Sequence, residues 1–474
     1  MKNSKTTTLL AAFSANDLFH FRKYLLSPYF NENKDLLRLF DLLVQEVIPA
    51  TGSIREKEEL WQALFHKTPY LDQTLRRLMS ELTNHALTFT ACHSFLANPL
   101  EEGSAKLGFL LDPGLTKHFE GVLRQVNLAL EKQPAHSPSA YYQMFLIERA
   151  RHLQLETAGK PDTLKFLGRA DFYLDSFYFS QKLKNLSEGL GYQKTRALDV
   201  EIGAIPGLLE YLPSSPYGET PLIKAYLLVV AMLQRPDDEA AFHSLKSLLE
   251  ESANRFDKNE LYNLFIHLLN YCIDTKINRG RTEYFDELFA LYQLALETKI
   301  LLPDGVLDPF HYKNIITVGL RVNALEWTER FIREYTPQLS DSSQANAFTY
   351  NLAKVYFQQE RYEKVIEQLR EVEYQDIVYA LGAKLMLLKT YFELKEFLPL
   401  DSLSDSFRVF LQRNKLLSRE EKQKYLNVLR FVKKLSHINP GDRKQLEKIR
   451  MQVENCQALA DKPWILDKLR ELTY

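Results

Sequence analysis

Glycine and proline are scarce in this chain, 17 and 19 among 474 residues. A β-hairpin protein or a glycine-rich α/β protein needs more tight turns than these residues supply, so such folds are disfavoured. Cysteine is rarer still: Cys92, Cys272 and Cys456 are widely separated. An odd count at that spacing builds no disulfide framework, and a reducing compartment is expected. Neither sign of charge dominates, because 60 basic residues face 61 acidic ones for a formal net charge of -1. No global pull toward nucleic acid or an anionic membrane follows from that balance. Apolar runs fall short of the ~18 residues a membrane-crossing helix requires. Lys2 and Lys5 ahead of Leu9-Leu10-Ala11-Ala12-Phe13 resemble an export signal in outline, but Ser14 and Asp17 interrupt the run as a helix cap does. A soluble cytoplasmic protein is expected.

Chemistry-bearing patterns are missing as well. There is no H-E-x-x-H, no C-x-x-C and no G-x-S-x-G. Gly159-Lys160-Pro161 has neither the preceding glycine nor the following hydroxyl of a phosphate-binding loop. His85, Cys92 and His93 come nearest to a metal cluster, yet neighbours on a helix point in different directions. His118, His152, His243, His267 and His311 stand singly, and Asp171 with Asp175 reads as a solvated helix face. An enzyme would have to assemble its site from residues far apart. No metal, cofactor or small-molecule substrate is expected.

What the chain has instead is helical periodicity. Ser14-x-x-Asp17 opens a helix that Ser27-Pro28 stops near Leu26, since proline disfavours helical geometry in the residue before it. Leu36, Leu37, Phe40, Leu43 and Val44 form one stripe over 33–47, and Pro49–Ser53 reads as a loop. Helices follow at 55–66 and 71–95, then a looser stretch over 98–114, then a helix through Phe119, Val122, Val126 and Leu130. A linker at Pro134–Pro138 leads to long helices at 140–155 and 162–198, and Pro206-Gly207 with Pro213–Pro216 marks the next boundary. Beyond Tyr217 helices pair. First members begin near Pro221, Glu260, His311, Asn346 and Leu381, and second members near Asp237, Thr282, Ala324, Arg361 and Phe397. Ser418-x-x-Glu421, Asp442-x-x-Gln445 and Asp461-Lys462-Pro463 start three late helices suited to capping the array.

One hairpin is duplicated. Leu352-Ala353-Lys354-Val355-Tyr356-Phe357 with Tyr362 recurs thirty-five residues later as Leu387-Leu388-Lys389-Thr390-Tyr391-Phe392 with Phe397. At Leu352, Ala353, Tyr356 and Tyr362 the chain resembles a tetratricopeptide repeat, with Val365 and Leu388 as larger residues at its small positions. The hairpin from Ile315 to Trp327 and Phe331 is similar after a one-residue slip. Over its first ninety-five residues, Ser27-Pro28-Tyr29-Phe30-Asn31, Leu60–Phe65 and Leu75–Ser80 resemble an uncharacterised family of bacterial helical-repeat proteins, which implies no activity.

The tetratricopeptide resemblance implies a groove lined by first helices. It turns Lys354 with Phe357, and Lys389 with Phe392, into that groove, with Asn314 and the region of Val318 and Arg321 one repeat earlier. A cation beside an aromatic on successive turns suits an acidic, apolar peptide. The alternative is that both phenylalanines pack into neighbouring hairpins while the lysines are merely solvated. Tyr350 precedes Lys354, so the lysine–asparagine carboxylate clamp of chaperone-binding repeats is not supported. A second candidate surface is the basic run over 408–450, including Lys422, Lys424, Arg430, Lys433 and Lys434, with Tyr425 and Phe431 interleaved as nucleic-acid binding would require.

The expectation is therefore an all-α protein. An N-terminal helical domain (1–135) and a long-helix connecting region (136–216) lead to tetratricopeptide-like repeats (217–417) and capping helices (418–474). Together they form a right-handed helical-hairpin solenoid. The expected function is a non-catalytic scaffold holding a protein or peptide on its concave face, with nucleic-acid binding through the basic helices as the alternative.

Overall fold

The computed structural model describes residues 4–47, 56–66, 68–132, 136–157, 159–160, 163–196, 205–339, 341–370, 377–438 and 442–472. Among these residues the regular elements are helices, and β contact is limited to an isolated bridge between His136 and Phe256. The chain is all-α. It divides into two compact units, Met1–Ala231 with Ser247–Glu260, and Met232–Lys246 with Leu261–Tyr474.

In chain order the helices are α1 (Lys5–Ala11), α2 (Ala15–Leu26), α3 (Lys34–Val47), α4 (Lys57–Phe65), α5 (Asp72–Ala97) and α6 (Pro99–Phe109). There follow α7 (Thr116–Lys132), α8 (Pro138–Thr157), α9 (Leu164–Arg196), α10 (Leu208–Tyr211), α11 (Pro221–Gln234) and α12 (Ala240–Ser252). At Ser14 the capping box closes as its residue types demand: the hydroxyl accepts from Asp17 N–H and the Asp17 carboxylate accepts from Ser14 N–H. Leu75, Leu78, Met79, Leu82, Ala86 and Phe89 form the buried stripe of α5, against which Leu10, Phe21 and Phe40 pack. Each large apolar side chain buried there contributes roughly 1.5–3 kcal/mol. The stretch read as loose from sequence is largely helical. Asn98 caps α6 through its Oδ1, 3.1 Å from Leu100 N, and Pro99 occupies the first turn, where no N–H is missed. Gly103 then lets α6 pack closely on α7, since a Cβ there would fall 2.3 Å from Val126 Cγ2. The Pro49–Ser53 loop and part of the Pro134–Pro138 linker lie outside the described residues.

The later helices are α13 (Lys258–Asn270), α14 (Tyr284–Glu297), α15 (Pro309–Arg321), α16 (Leu325–Tyr335), α17 (Asp341–Gln358) and α18 (Tyr362–Leu369). They continue as α19 (Ile377–Glu393), α20 (Phe397–Arg413), α21 (Arg419–Ser436), α22 (Arg443–Glu454) and α23 (Lys462–Glu471). Between α13 and the turn at Gly280 the chain passes through a π-helix, Tyr271–Lys276, which draws Lys276 inward to Glu239 at 2.8 Å. From α15 to α21 each helix packs on the next, and α23 packs on both α21 and α22. The odd-numbered members also touch one another, α15 on α17 and α17 on α19. Val365 and Leu388, large residues at positions a tetratricopeptide repeat would keep small, are fully buried. At the C-terminal end Leu388, Leu400, Phe407, Val432, Ile449 and Ile465 share one core contributed by α19–α23.

Candidate functional site

Three helices of the second unit end in the same backbone geometry. Asn323, Glu360 and Lys395 all have φ near +57. The amide that follows each returns 2.9 Å to a carbonyl five residues back: Ala324 to Gly319, Arg361 to Tyr356 and Glu396 to Tyr391. This is the left-handed C-terminal turn that satisfies orphan carbonyls. It sets a register independent of side chains, with intervals of 37 residues from 323 to 360 and 35 from 360 to 395. Gly280 (φ 92) closes the π-helical end of the preceding pair in the same way, Arg281 N–H donating to Lys276 O.

The turn register corrects one sequence expectation. Counting six residues back from each turn gives Thr317, Lys354 and Lys389, and three back gives Leu320, Phe357 and Phe392. Thr317 and Leu320, not Val318 and Arg321, are thus the earlier equivalents. Val318 is buried in the core, and Arg321 is exposed one position beyond. Gly319 stands where Tyr356 and Tyr391 stand later, so the aromatic that marks the register in the later helices is missing from α15. A Cβ at Gly319 would lie 2.2 Å from Thr328 Oγ1, so α15 and α16 meet by close approach instead of through a ring. Asn314 does not face an open groove alone; its side chain hydrogen-bonds the buried Tyr292 hydroxyl.

Lys389 and Phe392 are already engaged. Lys389 Nζ is 2.7 Å from Asp461 Oδ2, 4.7 Å from the Phe357 ring centre and 5.4 Å from that of Trp464. Phe392 meets Trp464 edge to face at 5.5 Å. Trp464 Nε1 donates to Glu393 Oε1 at 2.9 Å, and Lys468 Nζ lies 2.8 Å from the other oxygen of that carboxylate. Upstream, Asn427 Nδ2 donates to Ala458 O at 2.7 Å and Ala460 N–H to Lys424 O at 3.4 Å. The chain's own segment from Ala458 through α23 therefore fills this end of the expected groove. A partner meeting Lys389 and Phe392 freely, as the repeat pattern suggests, is not what the geometry offers.

Lys354 is different. Its ammonium sits 4.7 Å from the centre of the Tyr350 ring and is half-buried, with exposed Lys313 of α15 as its charged neighbour. Burial, and then the like charge of Lys313, bring Lys354 down to about 8. Among the described residues no carboxylate pairs with either lysine. The Tyr350 ring is set by an edge contact with Tyr379 at 5.3 Å and by Gly382, where a Cβ would fall 2.2 Å from the Tyr350 hydroxyl. Burial first, then Tyr425 and Tyr379, push that hydroxyl up to about 12. Further along α19, Lys384 lies over the Phe410 ring at 5.2 Å, and burial lowers its pKa too.

The basic run distributes itself around α21 and α22. Lys424 pairs with Glu420 at 3.4 Å, Lys434 Nζ donates to Gln452 at 2.6 Å, and Arg430 lies over Phe431 at 4.6 Å. Lys433 is exposed and Lys422 is half-buried. Phe431 is wholly buried, and Tyr425 packs on Phe407 with ring centres 5.8 Å apart. Phe431 is therefore inaccessible to a base, which removes one of the two expected stacking surfaces.

Elsewhere several ionisable groups pair, while the buried Glu148 Oε2, Tyr284 hydroxyl and His311 Nδ1 have no hydrogen-bond partner among the described residues. Glu260 is buried between Lys184 at 2.7 Å and the Tyr226 hydroxyl at 2.6 Å. His93 stacks on Phe89 and lies 5.7 Å from the His20 ring, and His85 packs on Tyr24. Among the described residues no group of three or more His, Cys, Asp or Glu is placed to hold a metal ion, and no helix is long and apolar enough to cross a membrane. An open, mostly apolar depression of about 720 Å³ lies in the first unit, lined by Phe95, Leu96, Phe109, Leu110 and Val122. Compared with protein-family models, curated proteins and solved structures, the chain matches none.

Proposed function

We propose that this chain is a non-catalytic cytoplasmic scaffold that holds a protein or peptide partner on the concave face of a right-handed, tetratricopeptide-like array. The observation that carries this reading is the pair of cations, Lys313 and Lys354, on stacked helices beside a fixed tyrosine ring, with no carboxylate partner among the described residues. A half-buried charge without a counter-ion costs stability. A ligand that supplies the missing charge recovers it. The repeated left-handed turns and the contact of α15 with α17 and α17 with α19 support a stacked array. Nucleic-acid binding through Lys422, Lys424, Arg430, Lys433 and Lys434 has charge in its favour but lacks Phe431 as a stacking surface, and we do not advance it.

Site-specific photo-crosslinking in the native cell tests the reading. A photoreactive amino acid at exposed Thr317 of α15 is expected to capture a defined partner, and the same probe at exposed Glu363 of α18 is expected not to. Capture through Glu363 with none through Thr317 overturns the proposal.

A further inference from the structure

The protein contains its own worked example of a ligand on this face. At Lys389 an aspartate and, three residues later, a tryptophan come in together: Asp461 pairs with the ammonium, and Trp464 lies against both that ammonium and Phe392. Aromatic rings flank the cation at 4.7 and 5.4 Å while a carboxylate neutralises it at 2.7 Å. Such a charge-assisted contact in a partly desolvated setting is stronger than an exposed ion pair.

Lys354 is the same position one repeat earlier, six residues before the left-handed turn at Glu360, as Lys389 is before Lys395. It has an aromatic ring at the same distance, 4.7 Å, here supplied by Tyr350. It has Phe357 one turn on, half-buried, as Lys389 has Phe392. What it lacks, among the described residues, is the carboxylate. A second cation, Lys313, stands on the neighbouring helix instead and raises the demand for negative charge. Thr317, the counterpart of Lys354 on α15, is exposed and donates its hydroxyl only to Lys313 O of its own helix, at 2.8 Å, so it brings no negative charge.

We infer that Lys354, with Lys313 beside it and the Tyr350 ring against it, is the seat of a carboxylate from a partner peptide, presented as Asp461 is presented to Lys389. The ligand class is a peptide in which an aspartate or glutamate is followed three residues later by an aromatic side chain. The acid pairs with Lys354 and the aromatic meets the part of the half-buried Phe357 ring that Lys389 and Tyr362 leave open. Leu320 stands where Phe357 stands for Lys389, so the second flank of the cation is aliphatic here. This inference rests on the groove reading above and names its ligand.

The probe is a synthetic peptide copying residues 458–472 of this chain, which carries Asp461-Lys462-Pro463-Trp464. It is titrated by fluorescence anisotropy into the full-length protein, whose own segment stays docked at Lys389. Saturable binding that weakens with salt is expected. Lys354→Met, and separately Asp461→Asn in the peptide, are each expected to weaken it about tenfold, the size of one charge-assisted hydrogen bond. Combining the two is expected to cost little more than either alone, and Lys354→Arg to retain most of the binding. The inference is overturned if Lys354→Met leaves the titration unchanged, if no saturable binding occurs, or if Lys389→Met alone abolishes it, because the peptide is then exchanging with the docked segment. Thr317 crosslinking that persists alongside any of these results leaves the groove reading intact and removes only the anion seat.

Discussion

Gly319 carries only a hydrogen where α17 and α19 carry the Tyr356 and Tyr391 rings at the same distance from their left-handed turns, and the register of α15 turns on it. Because α16 approaches to the point where a Cβ would meet Thr328 Oγ1 at 2.2 Å, Gly319→Ala is expected to destabilise the protein by about 1–3 kcal/mol through overpacking. Thr328→Ala removes the clashing oxygen. The double variant should therefore be more stable than the sum of the two single losses predicts, and a double-mutant cycle by urea denaturation reads that difference. Strict additivity would show that the clash relaxes elsewhere. The lysines were legible in the sequence as residues at a repeated position. Their states were not. Lys354 and Lys389 carry the same spacing and the same following aromatic, and what separates them is Asp461, seventy-two residues from Lys389 along the chain. Side-chain pattern within a repeat carries no information about a contact that distant.

At the level of the element, helix starts were the most readable feature. Ser14 and Ser418 both close capping boxes with the acid three residues on, and Asp442 accepts from Gln445 N–H. A start is encoded by one polar side chain reaching one amide, which is local chemistry. The ends were harder to read, because glycine does not mark them. Asn323 hints at a left-handed residue, but nothing about Glu360 or Lys395 does, and each exposed residue at φ 57 is followed by an amide that returns to a carbonyl five residues back. That conformation costs a residue with a Cβ about 1 kcal/mol or more. Glu360→Gly is accordingly expected to raise stability by up to about 1 kcal/mol, offset in part by the extra freedom of glycine in the unfolded chain, whereas Glu360→Val should lower it. Denaturation midpoints of the two variants check this; a fall for both would mean that the Glu360 side chain itself stabilises the turn.

Over the whole molecule, near-neutrality conceals an uneven distribution of satisfied and unsatisfied charge. Glu393 receives Trp464 and Lys468 together, and Asp461 receives Lys389, so the C-terminal helix is fastened to α19 by two carboxylates and one indole. Trp464→Ala is expected to cost roughly 3–5 kcal/mol, the range for deleting a buried aromatic. Hydrogen exchange should rise in α23 and the last turns of α19 while α2–α5, in the other unit, keep their protection. Unchanged exchange in α23 would show that its docking does not depend on the indole.

That fastening also sets a threshold for competition. A segment tethered to the same chain acts on its site at an effective concentration of roughly a millimolar, without any change in contact strength. A free competitor for Lys389 must outbid that standing occupant, and at micromolar abundance a peptide of matching chemistry would lose by about a thousandfold. Lys354 has no tethered rival among the described residues. On the proposal made above, the same aspartate-and-aromatic chemistry is thus reserved at Lys389 and left addressable at Lys354.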